Sequence, residues 1–184
     1  MAEILDCCQN IVVNEGLAAA TITRLGRELS IDRSTIYHYI GSQSSLYEAL
    51  VARIVDSFHG QAQAELSEHP PDVDRYLDTV FSPDFLFPDL DKVMDEFEAR
   101  GWHDTSIRKH VERFYAQQEE NSTQYLIAAL SDLPRPVARK LAQSIHALLE
   151  GAYLLQNWGA PKSRRKAAKE AAKLLVKATR DAHT

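Results

Sequence analysis

Lysine is missing from the first 91 residues of this chain, the earliest being Lys92. Residues 1 to 58 carry four cations, Arg24, Arg27, Arg33 and Arg53, against seven acidic side chains. Bulk positive charge therefore cannot be the main reason for anything this end binds, and the whole-chain net charge of −5 agrees. Cysteine is almost absent as well. Cys7 and Cys8 are adjacent and have no distant partner, which excludes a disulfide framework and a Cys-rich zinc site. On a helix about 100° separates them, so one is expected in the core and the other near its edge. No run approaches the roughly 20 apolar residues of a membrane span. Nor does the start show a basic segment followed by an apolar run, so a cytoplasmic protein without a membrane partner is expected. Glycine and proline number only seven each, and strand-like alternation is lacking, which argues against disorder and against a β fold.

What is present is helical spacing over most of the chain, in a sequence 45% hydrophobic and 26% charged. Ile4, Cys8, Ile11 and Val12 form a first stripe, closed by Glu15 and Gly16, the latter suited to a left-handed cap. Thr21 or Thr23 opens a short helix to Leu29, and Asp32 or Arg33 begins another to Tyr39. After Gly41, Ser42 is placed to cap a long fourth helix carrying Leu46, Leu50, Ile54 and Phe58, which His69-Pro70-Pro71 stops. Further helices are predicted over residues 72–81, 89–100, 104–131, 137–157 and 163–182. The expectation is an all-α protein of about nine helices. Residues 1–45 would form an N-terminal module of three helices, joined through the fourth to a helical body over 46–184.

Two short helices joined by a tight turn are the architecture of helix-turn-helix DNA binders, whose second helix enters the major groove. Here Ser30-Ile31-Asp32 supplies the turn, with Ile31 expected to face inward against Leu25 and Ile36. Residue order over 16–50, GLAAATITRLGRELSIDRSTIYHYIGSQSSLYEAL, says more. Gly16, Thr21, Leu25, Ile31, the run Thr35-Ile36-Tyr37, Tyr39, Ser42 and Leu46 together resemble the DNA-binding module of TetR-type transcriptional regulators. The resemblance implies that Thr35 and Tyr37 contact the DNA backbone and bases, with Arg33 and Ser34 at the helix start and His38 on its flank. Thr23, Ser42 and Gln43 complete the candidate DNA-binding set, while Ile36 and the ring of Tyr39 would anchor the helix from behind. Three residues depart from the family pattern. Gln43 replaces a lysine that would hold a phosphate, Ile40 replaces an aromatic residue, and Ser30 replaces the turn glycine and should be strained if a left-handed angle is kept. Affinity for DNA is expected to be modest, with little counterion release.

Residues 72–131 hold Tyr76, Phe81, Phe85, Phe87, Phe97, Trp102, Phe114, Tyr115 and Tyr125, rings that either fill a core or line a cavity. The polar run Gln117 to Gln124 places Gln118, Asn121 and Tyr125 on one stripe with Phe114. Phe81, Phe85, Phe97, Trp102, Phe114, Gln118, Asn121 and Tyr125 are accordingly the candidates for a small, partly apolar ligand. The last two helices carry the stripes Val137, Leu141, Ile145, Leu148, Ala152, Leu155 and Ala167, Ala171, Leu174, Leu175, Ala178. Small residues among the leucines allow close approach, as a four-helix interface between two copies requires, and by resemblance this is where such proteins dimerise. Two recognition helices about 34 Å apart would then meet successive faces of a palindrome. Eight basic residues between Lys162 and Arg180 read as a solvated face.

His103, Asp104 and His110 could suggest a metal or hydrolase site, but no H-E-x-x-H, nucleophile elbow or Gly-rich phosphate loop accompanies them. Asp95, Glu96 and Glu98 have no evident acid-base partner. Neither enzymatic activity nor a cofactor is expected. The function that the resemblance implies is a homodimeric, ligand-released repressor on a palindromic, double-stranded operator. The alternative is a dimer of the same fold that holds a ligand or scaffolds a partner without reading DNA.

Overall fold

The computed structural model describes residues 1–67, 69–82, 88–161 and 163–183, with only the backbone for 58–67 and 88. Nine α-helices occur among the described residues, without strands: α1 Ala2–Glu15, α2 Ile22–Leu29, α3 Arg33–Ile40, α4 Gln43–Ser67, α5 Val73–Val80, α6 Pro88–Gly101, α7 Thr105–Ala129, α8 Arg135–Asn157 and α9 Ser163–Asp181. A 3₁₀ turn, Leu17–Ala19, lies between α1 and α2 and was not expected from sequence. None of the described helices is long and apolar enough to cross a membrane.

Helix boundaries follow the local chemistry. Thr21, not Thr23, caps α2, its hydroxyl accepting from the Arg24 N–H at 3.1 Å. Asp32 caps α3 through the Ser34 N–H at 2.7 Å, and Ser42 caps α4 through the Ser45 N–H at 3.0 Å. Gly16 ends α1 at φ 85°, but its ψ of 165° is extended, not the left-handed cap expected. Helix α8 begins at Arg135, two residues before the expected start. Pro134 precedes it and Pro136 sits in the first turn, where no backbone donor is needed.

The chain divides into two compact units, Met1–His59 with Phe87–Tyr115, and Gly60–Leu86 with Ala116–Thr184. Helices α4 and α7 contribute residues to both. In the first unit Cys8, Leu17, Leu25, Ile36, Leu46, Leu50, Ile54, Val93 and Phe97 form one apolar core. Each such fully buried aliphatic or aromatic side chain stabilises by about 1.5 to 3 kcal/mol. Burial pushes the Cys8 thiol up to about 12, leaving it a small inert hydrophobe, while Cys7 lies at the core's edge. In the second unit Val73, Leu77, Leu126, Leu130, Leu141 and Ile145 pack with Ala172 and Val176 of α9. Buried Arg165 closes α5 from α9, donating to the carbonyls of Phe81 at 2.9 Å and Val80 at 3.3 Å.

Candidate nucleic-acid interface

The α2–turn–α3 unit is built around Gly26. A side-chain carbon at that position would stand 2.9 Å from the carbonyl oxygen of Ile31, so only glycine lets the turn fold back onto α2. The Ile31 N–H completes the closure by donating to the Gly26 carbonyl at 3.0 Å. Ser30 keeps the left-handed angle, φ 55° and ψ 36°, the only non-glycine residue with positive φ among those described. Conformations of this kind cost a non-glycine residue about 1 kcal/mol.

Behind α3 the anchors are Ile36, fully buried, and Ile40. Ile40 therefore fills the place of the family's aromatic residue as a core contact. Tyr39 does not anchor the helix: it is 57% exposed, its ring edge-on to His38 at 5.6 Å. Ile31 does not face inward either, because closure onto Gly26 uses its backbone and leaves the side chain 37% exposed.

Of the candidate DNA-binding residues, Thr23, Arg33, Ser34, Thr35, Tyr37, His38 and Ser42 are all exposed, and those on α3 form a continuous outer surface. Tyr37 is 48% exposed. Gln43 stands apart from them. It is half-buried, and its side-chain amide is bonded to the backbone of Ala20 and Ile22. Among nearby cations, Arg24 is already committed, pairing with Glu15 at 2.8 Å and Glu28 at 2.7 Å. Hydrogen bonds from Ser34 hold the Asp32 carboxyl below the usual range, so a negative charge stays at the start of α3. The surface offers hydroxyls, an imidazole and aromatic rings, with Arg33 supplying charge at the helix start.

No model of a known protein family matches the chain. It is similar to the HTH-type transcriptional regulator BetI of Paraburkholderia phytofirmans (strain DSM 17436 / LMG 22146 / PsJN), 21% identical over 154 residues, which is 83% of this chain and 79% of that protein. Its structure superposes on a TetR transcription regulator from Haloarcula marismortui ATCC 43049 with a TM-score of 0.73, at 15% identity over 96% of each chain. This is the TetR fold. A candidate transcriptional regulator from Saccharomonospora viridis, solved in complex with choline, shares it at a TM-score of 0.71, with 17% identity over 96% of this chain and 94% of the other.

Within this TetR fold the expected ligand-lining residues are distributed over the two units. Phe97 and Phe114 belong to the core of the first unit, while Phe81 is buried in the second. Trp102 is 76% exposed on the turn after α6, and Phe85 lies outside the described residues. Asn121, Tyr125 and the half-buried Gln118 remain together on α7 in the second unit. There the structure adds residues that sequence reasoning missed. Tyr76 of α5 stacks on Tyr125 at 5.2 Å, and Ser122 meets His146 of α8 at 2.8 Å. The Tyr76 hydroxyl is fully buried and points toward Ser122 without completing a hydrogen bond, and burial pushes it up to about 12. Burial likewise lowers His146, which keeps the imidazole neutral against an opposing pull from Glu119. Ser122 stood within the polar run singled out from sequence. His146, set among the apolar residues of α8, gave no signal of its own.

Asp104, suspected above of hydrolytic chemistry, caps α7 instead, accepting from the Ser106 N–H at 2.9 Å and the Ser106 hydroxyl at 2.7 Å. The predicted dimer stripe also splits. Leu141, Ile145 and Ala152 are taken up by the protomer itself, and Leu148 and Ala171 are half-buried. Leu155, Leu174, Leu175 and Ala178 remain outside, joined by Leu154 and Trp158, which sequence periodicity had not selected.

Proposed function

We propose that the chain is a sequence-specific DNA-binding transcriptional regulator that acts as a homodimer and answers to a small ligand held by its helical body. One observation carries this reading. A short helix, closed tightly onto its predecessor by Gly26, presents Arg33, Ser34, Thr35, Tyr37 and His38 outward while Ile36 and Ile40 seat it in the core. Hydroxyl, imidazole and guanidinium donors on an exposed helix are what base edges and phosphates accept. With Arg24 consumed by Glu15 and Glu28, general electrostatic attraction is small and selectivity has to come from this face. Purified protein incubated with a genomic fragment library at low salt is expected to retain fragments sharing a palindrome. Retention without an enriched palindrome would leave the reading unsupported and favour a dimer that does not read DNA.

The dimer is assigned to α8 and α9. Leu154, Leu155 and Trp158 on one, and Leu174 and Leu175 on the other, are exposed by 57, 42, 83, 69 and 39%. Large apolar side chains left exposed along a packed helix pair mark a surface that another protein covers. Leu174→Glu should leave the monomer fold intact, because the side chain contributes little to its own core. It is expected to convert dimer to monomer in sedimentation velocity at micromolar concentration and to abolish palindrome binding. An undiminished dimer would place the interface elsewhere.

A further inference from the structure

The segment between α1 and α2 is held from outside by side chains at four backbone groups. Glu96 of α6 accepts from the Leu17 N–H at 2.8 Å, and the Tyr47 hydroxyl donates to the Leu17 carbonyl at 3.3 Å. Gln43 takes both remaining groups, its Nε2 donating to the Ala20 carbonyl at 2.7 Å and its Oε1 accepting from the Ile22 N–H at 3.1 Å. Leu17, Ala20 and Ile22 are buried, so water is a poor substitute for these partners. Tyr47 is packed edge-on against Phe97 of α6, with ring centroids 5.6 Å apart, which fixes the α4 side of the arrangement. The fit is close at Gly16, where an added side-chain carbon would stand 3.0 Å from the Glu96 carboxylate.

Gln43 occupies the position at which TetR-type modules place a phosphate-holding lysine. Lysine could donate to the Ala20 carbonyl, but it has no acceptor for the Ile22 N–H. Glutamine satisfies both, because its amide carries a donor and an acceptor side by side. We infer that Gln43 is a positioning residue, which locks the start of α2 to α4 and so sets the angle of the recognition helix, in place of a phosphate anchor. The lock reaches α3 by a short route, since α2 carries Gly26 and the turn that seats α3 folds directly onto it. A displacement of α4 along its axis would thus be passed toward the DNA-reading surface through these two hydrogen bonds, alongside the core that Leu46 and Leu50 share with Leu25 and Ile36.

The functional half of this inference rests on the DNA-binding reading, but the lock can be tested without DNA. Backbone amide hydrogen exchange is measured by NMR on the full-length protein and on Gln43→Ala, Gln43→Glu and Gln43→Lys. Ile22 exchange should accelerate at least about tenfold in Gln43→Ala and Gln43→Lys, and less in Gln43→Glu, which keeps an acceptor for the Ile22 N–H but has no donor for the Ala20 carbonyl. Binding to the palindromic duplex enriched by the fragment selection then reads the consequence. Gln43→Lys is expected to bind no more tightly than the parent despite its added charge. Unchanged Ile22 exchange in Gln43→Ala would overturn the lock. Tighter binding by Gln43→Lys, with a salt slope steeper by about 0.9, would show that the position acts as a phosphate anchor. Should the parent protein bind no palindrome, the regulator reading fails, while the exchange rates still decide what Gln43 does.

Discussion

Replacing Gly26 by alanine is expected to destabilise the protein and to abolish DNA binding. In an exposed helix interior the same substitution would stabilise by about 1 kcal/mol through helix propensity alone, so the sign of the result is informative. Here the new methyl would stand 2.9 Å from the Ile31 carbonyl oxygen, a backbone atom that cannot swing aside. The turn must open, loosening the hydrogen bond from the Ile31 N–H to the Gly26 carbonyl and lifting Ile36 from the core. A net loss of about 1 to 3 kcal/mol is the expected cost of overpacking, read as a lower denaturant midpoint at unchanged slope. A midpoint equal to or above that of the parent would mean that the turn does not close on α2 as described.

Tyr37→Ala should do the reverse, sparing the fold and removing the function. The side chain is 48% exposed, and exposed substitutions away from caps and cores lie within about 0.5 kcal/mol of neutral. A well-placed contact to a base or phosphate is worth about 1 to 3 kcal/mol, so affinity for the selected palindrome should fall roughly 5- to 150-fold in each half-site. Titration of labelled duplex beside a thermal melt gives both quantities. Unchanged affinity with unchanged stability would remove Tyr37 from the interface, and with it the main support for α3 as the reading helix.

The two substitutions also mark what could and could not be read before the fold was known. Helices were legible because apolar residues recur at helical spacing and because Thr21, Asp32 and Ser42 have the side chains that caps require. The exposed face of α3 was legible for the same reason, with Ile36 buried and its neighbours on the outer surface exposed. Gly26 was not. Inside a helix a glycine has no local signature beyond weakened propensity, and its need arises only when the chain returns five residues later. Tyr39 and Ile31 were misplaced because hydrophobic character was taken to mean burial, whereas α3 presents an aromatic ring outward and the turn uses backbone alone to close. Periodicity states which side of a helix is apolar, not which core that side meets; Phe97 lies in the core of the first unit and Phe81 in that of the second. His146 and Ser122 are 24 residues apart, and only tertiary packing pairs them.

Val93, Met94 and Phe97 of α6 are as much a part of the first core as Leu25 or Ile36, and Glu96 beside them holds the Leu17 amide. Helix α3 is thus supported by a stretch of chain that begins more than forty residues after it ends. A fragment cut just after α3 would be deprived of that support, and a chimera joining these first helices to the helical body of another protein would inherit a cavity where α6 belongs. Transplanting the outer surface of α3 would call for carrying α6 along, or for grafting only its outward side chains onto a recipient with its own scaffold.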